Sequence, residues 1–473
     1  MQLASLVRDE PRRGVFRVHR SVFSSAELLA REWERIFDRV WLYVGHESEI
    51  ERPGDFRRRT LARRPVLFVR GADGQVRTLL NVCRHRGAML CRENEGNAPA
   101  FQCFYHAWTY DNCGALIGVP DEAGYGPGFD RAEMALAMPL RQDSYRGFHF
   151  VSFNPDVEPL IDYLAGAREY VDMVVDQAED GMRVIAGTHK QVARAHWKLL
   201  MDNFIDPLHV PVLHQTYLAY IRGVGGTAQR VNGTARALGN GHAVTESFAA
   251  YGRPVARWYP LFGEEARPEM EARRARLVAR FGEERATRMA DNLRLLRIFP
   301  NLLIQDVTGV TIRTVWPTAV DQTEMIAWEL APREESGEQL HRRLQNFLAF
   351  LGPAGFGIPD DVEAVESCQS TVPATEVEWQ DYSRAMADDA AGEAPDNCDL
   401  QHRAFWRQWL AHLEAAPTAN GAAGVSPAHG AADGDGSDGR AATAHEAAAS
   451  APNGAPADPT ATPQSASVPA VGR

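Results

Sequence analysis

The chain has 473 residues, 45% of them hydrophobic and 24% charged, with a formal net charge of −12 and a sequence pI near 5.7. That length makes two domains the default, and the acidic balance argues against nucleic acid as a main partner, because phosphate binding needs a basic face. No apolar run reaches the roughly 18 residues of a membrane span. The first twenty residues carry charge without an apolar stretch, so no signal peptide and a cytoplasmic location are expected.

In chain order, residues 1–39 read as a helical segment packing on a later domain. Residues 40–155 are short apolar runs between turn signals (WLYVGH, PVLFVRGADGQVRTLLNV, GFHFVSFNPD), with a hairpin turning at Ala72, Asp73 and Gly74. They predict a small all-β unit. Residues 156–415 mix helical stretches (LIDYLAGAREYVDMVV, EEARPEMEARRARLVARFGEERATRMADNLRLL) with strands (NLLIQDVTGVTIRTVWP, EMIAWELAP). Helix and strand segregate rather than alternate, so the fold class is α+β. GVGGTA (223–228) follows no strand and reads as a loop, not a dinucleotide cradle. Residues 416–473 are mostly Ala, Gly, Pro, Ser and Asp. Such a segment buries too little surface to offset its ordering entropy and is expected to be a disordered tail.

Four of the six cysteines, Cys83, Cys91, Cys103 and Cys113, cluster in the β unit. Without an export signal, that clustering points to metal more than to disulfides. Cys83-x-His85 and Cys103-x-x-His106 each place one thiolate and one imidazole on a short loop. A zinc finger usually groups its cysteines in one pair and its histidines in the other, whereas a Rieske [2Fe-2S] cluster holds one iron by two Cys and the other by two His. A structural Cys2His2 zinc is the alternative. Gly87 and Gly114 would let the loops bend tightly. Cys91 and Cys113 lie outside the pattern and read as ordinary thiols.

A second constellation is HWKLLMDNFIDPLHVPVLH (196–214). On a helix Asp206 and His209 would share a face, and Pro211 would break or kink it, freeing His214 to turn inward. Two histidines need a third ligand, and GPAGFGIPDDVEAVESCQ offers Asp360, Asp361, Glu363 and Glu366; spacing leaves the choice open. Two His and a carboxylate suit a non-heme Fe(II) oxygenase, and also a zinc hydrolase. A one-electron carrier in the same chain favours iron and dioxygen.

Taken together, CRHRGA (83–88), CFYHAW (103–108), WKLLMDNFIDPLH (197–209) and GPAGF…DD (352–361) resemble the large (α) subunits of Rieske non-heme iron aromatic-ring-hydroxylating oxygenases. The resemblance runs from about residue 15 to 414. It implies that Cys83, His85, Cys103 and His106 hold the [2Fe-2S] cluster. His209, His214 and Asp361 would hold Fe2+, with Asp360 as the fallback. Asp206 would join a cluster His of one subunit to an iron-bound His of its neighbour, with Asn203 beside it. The implied fold is a Rieske domain of antiparallel sheets joined to a catalytic domain whose curved antiparallel sheet wraps helices around the iron. The implied assembly is a homotrimer, with or without three β subunits. Since the chain shows no flavin or nicotinamide fold, a separate NADH-dependent reductase, with or without a ferredoxin, would supply electrons. The implied activity is hydroxylation of an aromatic ring with O2, as cis-dihydroxylation. The alternatives are a monooxygenase of the same family, a Rieske carrier with an inactive second site, and a zinc-stapled non-catalytic protein.

Ala107 stands where many members carry Gly, His196 where many carry Asn, and Asp202 where many carry Glu. Gly357 replaces a bulky residue of several hydrocarbon dioxygenases, and ESCQ (366–369) is similar to the benzoate, anthranilate and terephthalate branch. An aromatic acid is therefore the expected substrate, and it would need a buried cation, with Arg222 and Arg313 as candidates. Asn203, Phe204, Leu213, Leu351, Phe356, Gly357 and Ile358 flank the ligands and are the other candidate pocket residues.

Overall fold

The structure, a computed structural model, describes residues 3–225, 233–250, 253–415 and 426–427. Apart from Ser426–Pro427, which pairs with Ala137–Met138, the expected tail lies outside the described residues, as does the second half of the GVGGTA loop (226–228).

Residues 42–152 form small antiparallel sheets. Strands Asp55–Leu61, Arg64–Arg70 and Val76–Leu80 pair in order, and Glu95–Asn97 extends the edge beside Asp55–Leu61. The expected hairpin turn lies at 71–75, where the Gly71 N–H donates to the Gln75 carbonyl and Gly74 takes φ +80°. A second sheet, Ala100–Gln102, Thr109–Asp111 and Leu116–Gly118, faces a small core of its own built on Phe56, Leu67, Val69, Leu79, Phe101 and Trp108.

The rest is organised by a nine-stranded antiparallel sheet among the described residues. Its central path runs Gln322–Pro332, Val310–Ala319, Leu302–Asp306, Asn292–Ile298, His242–Phe248 and Thr234–Gly239. Helix Trp197–Asn203 packs on Val310–Ala319 and against helix Ile358–Ser370. The mixture is α+β, as the segregated pattern predicts.

Three local expectations need correction. Residues 1–39 are not only helical: Val7–Glu10 and Val15–His19 form a hairpin that pairs with Trp379–Asp381, before helix Ala26–Glu32. That helix is tied into the catalytic part at Glu32, which is buried, pairs with Lys198 and accepts from the Trp197 and Trp409 indoles at 2.7 and 2.8 Å. The segment at 160–175 is two helices, Leu160–Leu164 and Ala167–Val175, parted at Ala165, whose φ is +43°. The long helical stretch ends at Asp291, and Asn292–Ile298 is a strand, its alternate residues claimed by the sheet rather than by helix propensity.

Candidate active site

Two loops converge at the tip of the small sheets. Cys83 and Cys103 are buried beside one another, and the His85 and His106 rings meet at 4.6 Å and 76°. His85 stacks on Trp108 at 4.9 Å, which fixes its plane. In the first loop the Gly87 N–H donates to the Cys83 carbonyl and in the second the Ala107 N–H donates to the Cys103 carbonyl, so both turns close alike. Both also need a left-handed residue, Gly87 at φ +75° and Ala107 at φ +56°. Gly114 turns the neighbouring hairpin instead of the cluster loop, so the second bend falls on Ala107.

This donor set fits a [2Fe-2S] cluster. The Nδ1 of His85 is buried with no hydrogen-bond partner, as a nitrogen aimed at iron would be. Burial pushes the Cys83 thiol up against the lowering effect of Tyr110 and the His85 backbone, and Cys103 adds to the rise, so two thiolates side by side require a cation between them. The Tyr110 hydroxyl accepts from the Arg84 N–H at 2.9 Å and stands 3.5 Å from the Cys83 sulfur, positioned to donate to it. Hydrogen bonds to cluster sulfurs tune reduction potential.

The second cluster of donors is His209, His214 and Asp361, whose ligating atoms all lie within 4.8 Å of one another. Helix Trp197–Asn203 ends before it, and 204–209 is a turn, not a continued helix. The Asp206 carboxylate makes that turn by accepting the N–H groups of Leu208 and His209 at 2.9 and 3.2 Å, and it holds His209 Nδ1 at 3.1 Å. Asp206 and His209 thus meet through a turn where a shared helix face was expected. Pro211 does not break a helix either; it sits in the first turn of Val210–Leu213, where its missing N–H costs nothing.

The third donor arrives from far along the chain. Helix Gly337–Leu351 starts in a capping box, Ser336 with Gln339, and ends at Gly352. After a tight turn, helix Ile358–Ser370 presents two carboxylates from its first turn. Asp361 Oδ1 faces His209 Nε2 at 3.3 Å and His214 Nε2 at 3.2 Å, while Asp360 takes His214 Nδ1 at 3.2 Å. Asp361, not Asp360, therefore occupies the ligating position, and each imidazole has a carboxylate behind it, Asp206 for His209 and Asp360 for His214. Asn203 Nδ2 donates to Asp361 Oδ1 at 3.3 Å. Burial lowers the His209 pKa, but its hydrogen bonds to Asp206 and Asp361, which accept, outweigh it and raise the imidazole to about 9. Three donors converging within 4.8 Å, two of them backed by carboxylates, suit a divalent cation.

A cavity of about 140 Å³ opens onto these three residues. Asn203, Phe204 and Leu351 line it as expected. Leu213, Phe356, Gly357 and Ile358 do not: Phe356 stacks on Tyr220 at 5.3 Å, Ile358 is buried in the core, and a Cβ at Gly357 would lie 2.7 Å from the Phe350 ring. Phe350 fills that space and forms wall in its stead. Arg222 is exposed near the end of helix Gln215–Gly223, so the expectation of a buried cation there fails. Arg313 is buried, its guanidinium 4.5 Å over the ring of Phe204. The remaining wall, including Leu218, Phe248, Leu293, Leu295 and Gln305, escaped sequence reasoning. The one signal was a lone glutamine inside the apolar run NLLIQDV.

A Rieske [2Fe-2S] domain profile matches residues 40–134 and a ring-hydroxylating α-subunit catalytic-domain profile matches residues 169–389. The chain is 35% identical over 390 residues to the 2-halobenzoate 1,2-dioxygenase large subunit of Burkholderia cepacia, covering 81% of this chain and 83% of that one. It is 35% identical over 383 residues to the toluate 1,2-dioxygenase α subunit of Pseudomonas putida, covering 77% and 81%. Among solved structures, a naphthalene 1,2-dioxygenase variant bound to phenanthrene superposes with a TM-score of 0.77 at 25% identity, over 88% of this chain and 96% of that one. With two metal-donor sets of these types in one α+β chain, the protein is an oxidoreductase of the Rieske non-heme iron class. More narrowly, it belongs to the aromatic-ring-hydroxylating dioxygenases, as the large (α) subunit of a multicomponent terminal oxygenase. Among the described residues no helix is long and apolar enough to cross a membrane.

Proposed function

We propose that this α subunit cis-dihydroxylates a monocyclic aromatic acid of the benzoate type. The observation that carries the reading is the cavity beside the His209–His214–Asp361 set. Its volume of about 140 Å³ is close to that of an engineered apolar cavity, about 150 Å³, that holds one benzene ring. The names of the halobenzoate and toluate relatives support the acid.

In this reading Cys83, His85, Cys103 and His106 hold the cluster and His209, His214 and Asp361 hold the iron. When bound, the cluster delivers electrons singly and the ferrous iron activates dioxygen. Asp206 and Asp360 fix the two iron-binding imidazoles in tautomer and orientation. Asn203 steadies Asp361, and the apolar wall strips water from the ring. Asp206, about a quarter exposed, is open to a second imidazole, so it is the natural link to a cluster histidine of a neighbouring copy. The exposed Phe104 and Tyr105 on the cluster loop suit such an interface in a homotrimer, with or without β subunits. A separate NADH-dependent reductase, with or without a ferredoxin, supplies the electrons, and the cytosol is the compartment that suits clustered thiolates.

The test is EPR of anaerobically purified, dithionite-reduced protein, followed by turnover of benzoates with a surrogate reductase. A Rieske signal and a cis-diol carboxylate product are expected. A silent spectrum from zinc-loaded protein overturns the electron-transfer reading, and a phenolic product overturns dihydroxylation.

A further inference from the structure

Six arginines are among the most completely buried side chains: Arg253, Arg294, Arg297, Arg313, Arg343 and Arg403. Five have obvious partners. Arg253 and Arg294 share Asp306, Arg343 pairs with Glu335 and Arg403 with Asp389. Arg297 donates to the carbonyls of Met201 and Gln401. Arg313 differs, because both terminal nitrogens are buried without a hydrogen-bond partner among the described residues. A buried, unpaired charge is costly enough that native folds almost always supply an anion or a carbonyl.

Strand register shows where this charge points. Leu295 stands opposite Gln305, Gln305 opposite Thr311, and Leu303 opposite Arg313. Directly paired residues share a face, and so do residues two apart on one strand. Arg313 therefore projects from the same face of the sheet as Leu295 and Gln305, which line the cavity. Phe204, against which the guanidinium lies, lines it too. The Gln305 Oε1 is buried with no partner, a polar atom in a stretch of wall otherwise made by Leu293, Leu295 and Val307. Phe204 follows Asn203, whose amide donates to Asp361 Oδ1 at 3.3 Å, which puts this polar corner on the iron side of the cavity.

We propose that Gln305 and Arg313 form the subsite for the carboxylate of the ring substrate, Gln305 by donating from its amide Nε2 and Arg313 by supplying the compensating charge from the adjacent strand. This rests on the aromatic-acid reading above and adds the residues that enforce it. The other ionisable wall groups, Asp206, Asp361 and Asp396, are acidic or, like His209 and His214, belong to the iron site, so they repel or ignore an anion. Without Arg313 the cavity would select a neutral ring. With it, the carboxylate-bearing carbon and its neighbour are drawn toward His209, His214 and Asp361, as attack at positions 1 and 2 requires.

The test is calorimetric titration of the cluster- and iron-loaded protein, under anaerobic conditions, with benzoate, 2-chlorobenzoate and the corresponding uncharged benzamides. In the unmodified protein the acids should bind more tightly than their amides. Arg313→Met should weaken the acids at least 30-fold and the amides less than threefold; Arg313→Lys should keep most of the acid affinity. Gln305→Leu, a near-isosteric change at the cavity wall, gives a second handle should Arg313→Met fold poorly, and should weaken the acids about tenfold. If the unmodified protein prefers acids but every variant loses acid and amide alike, or neither, the subsite is wrong and the aromatic-acid reading stands. Should the unmodified protein bind amides as well as acids, both fall.

Discussion

At the cluster loops the two imidazoles are half-buried, close to one another, and take no carboxylate partner among the described residues. At the iron triad each imidazole is pinned by a carboxylate on its far nitrogen, and the third ligand is steadied by Asn203. The difference follows from what each site must do. A cluster that trades electrons with other proteins needs accessible ligands, held by the closed backbone turns of two loops. An iron that must keep open positions for dioxygen and a substrate needs its few ligands fixed from behind, because nothing else restrains them.

The largest effect separates the two sites outright. Asp361→Ala removes the carboxylate shared by His209 and His214, so mononuclear iron and ring hydroxylation should both be lost, with turnover down at least 100-fold. The Rieske EPR signal should persist at full intensity, since no cluster donor is touched. If hydroxylation survives, the second site is not the oxygen-activating one.

The next test asks whether the carboxylates behind the imidazoles matter as the contrast says. Asp360→Ala frees His214 Nδ1 without removing a ligand, and outer partners of this kind typically contribute 10–100-fold in metal affinity or activity. The expected outcome is iron that is lost to a chelator about tenfold faster while the cluster is retained. An unchanged rate would show that burial of His214 alone fixes its ring.

The same contrast explains what was legible in the sequence. Cys83, His85, Cys103 and His106 stand out because each loop carries its two donors within four residues, so spacing alone reports the site. Asp361 could be narrowed only to a short acidic run, since the choice between adjacent carboxylates depends on how the helix Ile358–Ser370 is rotated against Trp197–Asn203. The pocket was least legible. Leu293, Leu295 and Gln305 come together through strand register, which no local pattern encodes, while Phe356 and Ile358 sit next to the ligands in sequence and pack elsewhere. The strand at Asn292 was missed for a related reason, its helix-like charge pattern being overridden by pairing with His242–Phe248.

A third prediction concerns acid, which should act on the catalytic part through a buried ion network that the cluster loops lack. Burial raises the Glu335 carboxyl, but Arg343 and Arg273 outweigh it and hold the group at about 2. Its folded pKa is thus below the unfolded value near 4.5, so its contribution, of order 3 kcal/mol, is present above pH 4.5 and is lost as pH falls toward 2. Glu335→Gln should lower Tm clearly at pH 7, with the gap to the unmodified protein closing as the pH drops below 4.5. A gap independent of pH would mean that packing rather than charge sets the loss.

The smallest effect lies at the cluster loops, where equivalent turns carry different residues. Gly87 and Ala107 both adopt positive φ, yet only glycine does so without strain. A Cβ at Gly87 would meet nothing within 4 Å, so Gly87→Ala is a purely conformational change and should cost about 1 kcal/mol. Ala107→Gly relieves the matching strain in the second loop, but it also frees the unfolded chain, which returns roughly 0.4–1 kcal/mol of the gain. The net should be a stabilisation of at most a few tenths of a kcal/mol. Thermal bleaching of the cluster's visible absorbance reads both, and the double variant should bleach later than Gly87→Ala alone. If Ala107→Gly instead loosens the cluster, the alanine is holding His106 in place against the Tyr105 ring, 3.7 Å away, and the two loops are not interchangeable after all.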